Sequence, residues 1–127
     1  MPVIIENGKI KAVSDLIDVN GTDPVELYRC LPPYVKFVMT KIMIYNQDTA
    51  DHEVTIGSYD TTGASWGSDK YIIKVAAGEM ITLSKDDIPE DFVMTTDPSS
   101  AIMAWAAKLE GAITANAVKI KVELEIG

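Results

Sequence analysis

The chain has few of the residue types from which catalytic and metal sites are usually built. Among its 127 residues are one cysteine, Cys30, one histidine, His52, and one arginine, Arg29. A lone cysteine excludes an intrachain disulfide, and a zinc site normally draws several His or Cys ligands. We therefore expect a buried, unreactive thiol at Cys30 and a surface histidine at His52, which stands between Asp51 and Glu53.

Long apolar runs are also missing. The longest uninterrupted run covers residues 101–107, far short of the roughly 20 residues that a membrane-spanning helix needs. The first residues show neither the basic nor the apolar segment of a secretory signal peptide. We therefore expect cytoplasmic synthesis without a signal peptide, and no membrane partner.

Positive charge is scarce as well. The 19 acidic residues outnumber the 11 basic ones and give a formal net charge of −8. Such a chain repels phosphate backbones, and no stripe of lysine and arginine alternates with aromatic residues. We therefore expect no direct nucleic-acid partner.

The motifs of common active sites do not occur in the sequence. It has no Gly-x-Ser-x-Gly elbow, no EF-hand spacing and no Gly-rich phosphate loop between a strand and a helix. We predict no catalytic residue, no cofactor, no metal site and no enzymatic activity, while acidic clusters at 48–53 and 86–91 leave calcium binding open. An enzyme would instead need His52 and several carboxylates to converge in one pocket.

What the chain does contain is a strong alternation of apolar and charged residues near its end. Between 118 and 126 every second residue is apolar, and the residues between them are lysine or glutamate. Side chains alternate between the two faces of a strand, so this pattern predicts a strand with one face on a core and one in water.

Residues 34–45 predict a long strand with two apolar faces. One face carries Val38, Ile42 and Ile44. The other face carries four interface candidates, which are Phe37, Met39, Met43 and Tyr45. Apolar residues on both faces are typical of a strand that is covered on both sides, so we expect the second face to lie at a subunit interface.

The remaining pattern predicts seven to nine strands at about ten-residue spacing. This spacing is typical of an antiparallel β-sandwich or jelly roll, here a single domain over residues 1–127 with at most one short helical turn, at 86–90. Residues 71–75 and 80–83 flank a turn and predict a hairpin.

The first 24 residues are less regular and are a candidate N-terminal arm. Asn7-Gly8 is a strong hairpin turn signal between two short predicted strands. Residues 15–24 predict a loop, and the arm would lie on a neighbouring subunit.

Trp66 lies in a predicted loop of small residues, 60–69. The indole of such a tryptophan either folds back into the core or makes an exposed contact. We favour a core or subunit contact for Trp66. The alternative is a sugar-stacking platform, which would make the protein a carbohydrate-binding module. Trp105, within an apolar run, is predicted to lie in the core.

Several short motifs follow one another between residues 25 and 126. An apolar strand ends at Tyr45-Asn46, Thr49-Ala50 leads into the next strand, Ala77-Gly78-Glu79 forms a turn, and an alanine-rich strand covers 102–107. In this arrangement the chain resembles the small β-sandwich accessory proteins of tailed-phage virions.

The resemblance implies a structural role in a virion. The expected function is that of a capsid decoration or cement protein, with a head–tail or tail accessory protein as the alternative. It also implies a homo-oligomer, with a trimer favoured, whose partner is the major capsid protein or another virion protein. Trp66 then joins the four interface candidates of the 34–45 strand.

Overall fold

Alternating apolar residues produce strands along the whole chain. The computed structural model describes residues 3–6, 8–90, 92–96 and 101–127, and within these ranges it contains eleven strands and no helix. The strands are β1 Val3–Glu6, β2 Lys9–Val13, β3 Ile17–Val19, β4 Val25–Cys30, β5 Lys36–Asn46, β6 His52–Asp60, β7 Ser65–Val75, β8 Met80–Leu83, β9 Val93–Thr95, β10 Met103–Leu109 and β11 Val118–Ile126. None of the described residues forms a helix long and apolar enough to cross a bilayer.

The strands form two antiparallel sheets. The large sheet has the order β1-β2-β11-β5-β8, with β3 also pairing with β11 and β9 with β5, and the small sheet has the order β4-β10-β6-β7. One cluster of buried side chains lies between them, with Trp105 against Phe92 at a ring distance of 5.1 Å. The predicted all-β sandwich is confirmed, as are the core position of Trp105 and the buried thiol of Cys30. The predicted count of seven to nine strands is too low, because β3 and β9 have only three residues each and are too short to show an alternation.

The β11 strand follows its predicted alternation. Its five apolar side chains are all buried, and the four charged ones face outward on the large sheet. Ion pairs between described residues on this outer face include Lys119 with Asp18 at 2.7 Å, Lys41 with Glu123 and Lys9 with Glu125. Exposed pairs of this kind add little stability, so the buried face is what fixes β11.

The β5 strand differs from its prediction because it contains a bulge. Lys41 pairs with Glu123, but the next pair is Met39 with Leu124, which leaves Thr40 as an extra residue. An extra residue reverses the facing of every residue beyond it. Phe37 and Met39 therefore share the core face with Ile42 and Ile44 and are buried. The expectation that they share an outward face with Met43 and Tyr45 is wrong.

The strands on either side of the Ala76–Glu79 turn do not form the expected hairpin. The β7 strand pairs with β6 in the small sheet, whereas β8 pairs with β5 in the large sheet. The turn thus carries the chain from one sheet to the other. The β7 strand instead forms a hairpin with β6, whose turn is only residues 61–64. Trp66 therefore belongs to a strand rather than to a long loop.

Much of the N-terminal segment is built into the large sheet. The predicted hairpin is present, with Gly8 at a φ of 74° in its turn, a left-handed conformation that glycine adopts at low cost. The β2 and β3 strands both pair with β11, and Ala12 and Val19 are fully buried. The loop prediction for 15–24 is therefore wrong at β3, and a contact of this segment with a neighbouring subunit stays a prediction.

Deleting Thr40 tests the role of the bulge. Without the extra residue, Phe37 and Met39 would turn outward, and losing two such side chains from a core costs at least about 5 kcal/mol. Urea denaturation should show an unfolded or strongly destabilised variant. Thr40→Ser, which keeps a hydroxyl to donate to the Glu123 carbonyl, is the control. A deletion variant within about 2 kcal/mol of the wild type would contradict the register argument.

Candidate functional site

His52 lies inside the molecule, at one end of the sandwich. It is the first residue of β6, and only 4% of it is exposed. The alternation of β6 places His52 on the same face as Val54 and Ile56, which are fully buried. The prediction of a surface histidine is therefore wrong.

Two carboxylates hold the imidazole from opposite sides. The Nε2 atom of His52 is 2.6 Å from Oδ2 of Asp48, in the β5–β6 connection, and Nδ1 is 2.9 Å from Oε1 of Glu110, which follows β10. We call these three residues the His52 cluster. The cluster joins segments that are 58 residues apart in the sequence, so it fixes how two connections meet.

Asp48 organises the connection between β10 and β11. Its carboxylate accepts hydrogen bonds from the backbone N–H groups of Thr114 at 2.8 Å, Ala115 at 2.8 Å and Asn116 at 3.2 Å. The hydrogen bond from His52 is the main cause that holds the pKa of Asp48 well below its usual range; burial opposes it and the three backbone donors add to it. Asp48 is therefore an ionised carboxylate enclosed by donors.

The pKa of His52 is displaced in the other direction. Burial by itself lowers the pKa of an imidazole, and here it is the largest single influence. The hydrogen bonds and negative charges of Asp48 and Glu110 together outweigh burial and raise the pKa of His52 above its ordinary value of 6.5.

Asn46 holds the connection that contains Asp48 in place. Its Nδ2 donates to the carbonyls of Ala50, at 2.9 Å, and Val75, at 3.1 Å, while its Oδ1 accepts from the Asp48 N–H at 2.9 Å. Asn46 is fully buried. Its side chain therefore ties the β5–β6 connection to the end of β7.

An open cleft of about 480 Å³ lies beside the cluster. His52, Val75 and Ala76 line part of the cleft. The rest of the lining is charged and consists of Asp51, Glu53, Lys74, Glu79 and Glu110. The histidine and several carboxylates thus do converge, as the enzyme alternative requires. Three of the carboxylates accept backbone N–H groups at 2.7–2.9 Å. Among the residues that the structure describes, no Ser, Thr or Cys lines the cleft.

Within the described ranges, no group of three or more His, Cys, Asp or Glu side chains is arranged to hold a metal ion. The carboxylate oxygens of Asp48 are taken by His52 and backbone donors. The contacts that the cluster makes are those of a hydrogen-bonded network.

A second feature is an apolar patch on the outer face of the large sheet. Leu16, Tyr45 and Met80 are 37–61% exposed there, and the half-buried Met43 lies between them. Tyr45 and Met80 pair across β5 and β8, and with Lys119 the four residues surround a small, almost entirely apolar hollow. We call these four residues the large-sheet patch, and they include two of the predicted interface residues.

Trp66 lies on the outer face of the small sheet. Its ring packs edge-on against Tyr59, with centroids 5.2 Å apart, and the Nζ of Lys108 lies 5.7 Å above it. The indole is half-buried and outside the core, so the core prediction for Trp66 is wrong. Lys108 covers part of the ring, which leaves less of it for stacking on a sugar.

Comparison with protein-family models gives no match for this chain, and no curated protein sequence is significantly similar to it.

Removing the charge of Asp48 tests the cluster through acid stability. Because the folded pKa of Asp48 is lowered, its stabilisation is present above the unfolded pKa of about 3.9 and is lost as pH falls through the folded pKa. Asp48→Asn should lower the urea midpoint at pH 7 and flatten its fall below about pH 4. Asp86→Asn, on an exposed turn, is the control and should do neither. Equal midpoints for both variants would contradict this role.

Proposed function

We propose that this protein is a non-enzymatic structural protein that works through surface contacts, as a decoration or cement protein on a virus capsid. The large-sheet patch carries the proposal. The resemblance in sequence suggests the virion, and hence a location in the assembled particle.

The large-sheet patch suits the centre of a protein contact. Exposed apolar side chains that cluster in this way mark interaction sites on soluble proteins. Four side chains are few, however, compared with the roughly 20–30 residues per side of a standard interface. The patch thus supports a weak contact between single copies. On a repeating lattice, many such contacts act together and the effective affinity rises.

The chemistry of the other candidate groups also favours a structural role. Both ring nitrogens of His52 are bonded to carboxylates, so neither offers a lone pair to a substrate. Burial raises the pKa of the Cys30 thiol to about 12, which suppresses the thiolate that a nucleophile needs. These features support a protein that assembles rather than one that catalyses.

The proposed partners are copies of this chain, with a trimer favoured, and the major capsid protein. A head–tail or tail accessory protein remains the alternative within the same class, because the patch does not specify its partner. Carbohydrate binding through Trp66 stays a prediction that no contact of its ring favours.

Self-association is tested by light scattering during size-exclusion chromatography over a range of concentrations. We expect a wild-type oligomer, and a Met80→Lys variant that shifts toward monomer because it places a charge in the contact. Ile72→Lys is the matched control, since Ile72 is 58% exposed but lies on the small sheet. A strict wild-type monomer at high concentration, or equal loss in both variants, would contradict the patch as the subunit contact.

Capsid binding is tested by co-sedimentation with purified shells and, separately, with tails of the virus that encodes the chain. We expect saturable binding to shells, at least tenfold weaker for Met80→Lys than for Ile72→Lys, because many weak contacts lose affinity together. Binding to tails alone would favour the tail alternative. Binding to neither would overturn the virion proposal.

A further inference from the structure

We propose that His52 is a proton-controlled clamp. As an imidazolium it joins Asp48 to Glu110. The loss of one proton releases Glu110 and widens the cleft beside the His52 cluster.

The geometry of the cluster favours a doubly protonated ring. A carboxylate only accepts hydrogen bonds, and a neutral imidazole has a single N–H. The two ring nitrogens of His52 lie 2.6 Å and 2.9 Å from carboxylate oxygens of Asp48 and Glu110. A neutral ring would satisfy one of these contacts and set a nitrogen lone pair against a carboxylate in the other.

The two contacts are not equivalent, so the one that breaks can be assigned. The Asp48 side chain is fully enclosed, whereas 43% of the Glu110 side chain is exposed. Losing its partner would leave Asp48 a buried charge with fewer donors, which is costly. Glu110 can turn into water instead. The remaining proton therefore stays on Nε2 of His52, which continues to donate a hydrogen bond to Asp48.

Releasing Glu110 also frees the start of β6. One oxygen of Glu110 accepts the backbone N–H of Glu53 at 2.7 Å, so both bonds depend on one position of the carboxylate. The N–H groups of residues 114–116 are bonded to Asp48 and keep their partner. The opening is therefore local to the wall of the cleft formed by Glu110.

The charges around the clamp also favour the release of Glu110 when His52 loses its proton. Carboxylates line the cleft beside Glu110, and Lys74 of β7 contributes an ammonium. The carboxylates come from Asp51 before β6, Glu53 in β6 and Glu79 before β8. When His52 loses its charge, these carboxylates repel one another with less compensation. Because the folded pKa of His52 is raised, the stabilisation by the clamp is complete below the unfolded pKa of about 6.5 and is lost as pH rises through the folded pKa.

The single histidine makes the clamp directly measurable by NMR of the intact, ¹⁵N-labelled chain. We expect the imidazole nitrogens of His52 to show an imidazolium at pH 6.5 and a titration midpoint above that pH. Above the midpoint the Nε2–H tautomer should appear. The amide shift of Glu53 should follow the same midpoint, and that of Ala115 should not.

A Glu110→Gln variant sharpens the test, because it keeps an acceptor and removes the charge. We expect the His52 midpoint to fall by about one pH unit and the Glu53 amide to stop following it. Glu90→Gln, on an exposed loop, should leave both unchanged. A wild-type ring that is neutral at pH 6, an Nδ1–H tautomer at high pH, or a Glu53 amide indifferent to the midpoint would each overturn the proposal, whether or not the variant folds.

Discussion

The pairing of β5 with β11 determines which side chains of the large sheet face the core. The two central strands are paired over nine positions, and Thr40 is the one residue of β5 that the register passes over. On one side of Thr40 the odd-numbered residues face inward, and on the other side the even-numbered ones do. This single extra residue gives the core both Phe37 and Ile44. On the β8 side of Thr40 it leaves Met43 and Tyr45 facing outward, where the large-sheet patch lies.

The same end of β5 leads directly into the His52 cluster. Asn46 closes the strand, and the chain then crosses to the small sheet through the connection that contains Asp48. Burying a charged group costs free energy that its partners only partly return. The cluster is therefore better understood as a device that fixes two connections in one arrangement than as a source of net stability.

The sequence predicts the strands well where one face is consistently apolar, as in β11, but it does not reveal the bulge. Apolar residues occur on both faces of the predicted strand around Thr40. The alternation of side chains between the two faces therefore fits the sequence equally well with and without an extra residue. The Ala76–Glu79 turn misleads for a related reason. Local turn chemistry shows that the chain reverses, but it contains no information about which sheet receives the next strand.

The position of His52 could have been found, but its partners could not. Val54 and Ile56 continue the same face of β6, and that spacing already places His52 on the buried side. Nothing near His52 in the sequence indicates Glu110, because their contact depends on how β6 and β10 pair in the small sheet. Buried polar groups must be paired, so a histidine on a core face should itself have suggested a distant carboxylate.

The patch and the clamp lie close together, yet the structure separates them mechanically. The carbonyl of Glu79 accepts the N–H of Asn46 at 2.9 Å, and the next residue, Met80, belongs to the patch. Asn46 is fully buried and makes three further hydrogen bonds through its side chain. The residue that lies between the two sites is therefore held in place from several directions. Glu110 lines the cleft but not the hollow of the patch. Protonation of His52 should therefore change the cleft without changing how the patch binds a partner.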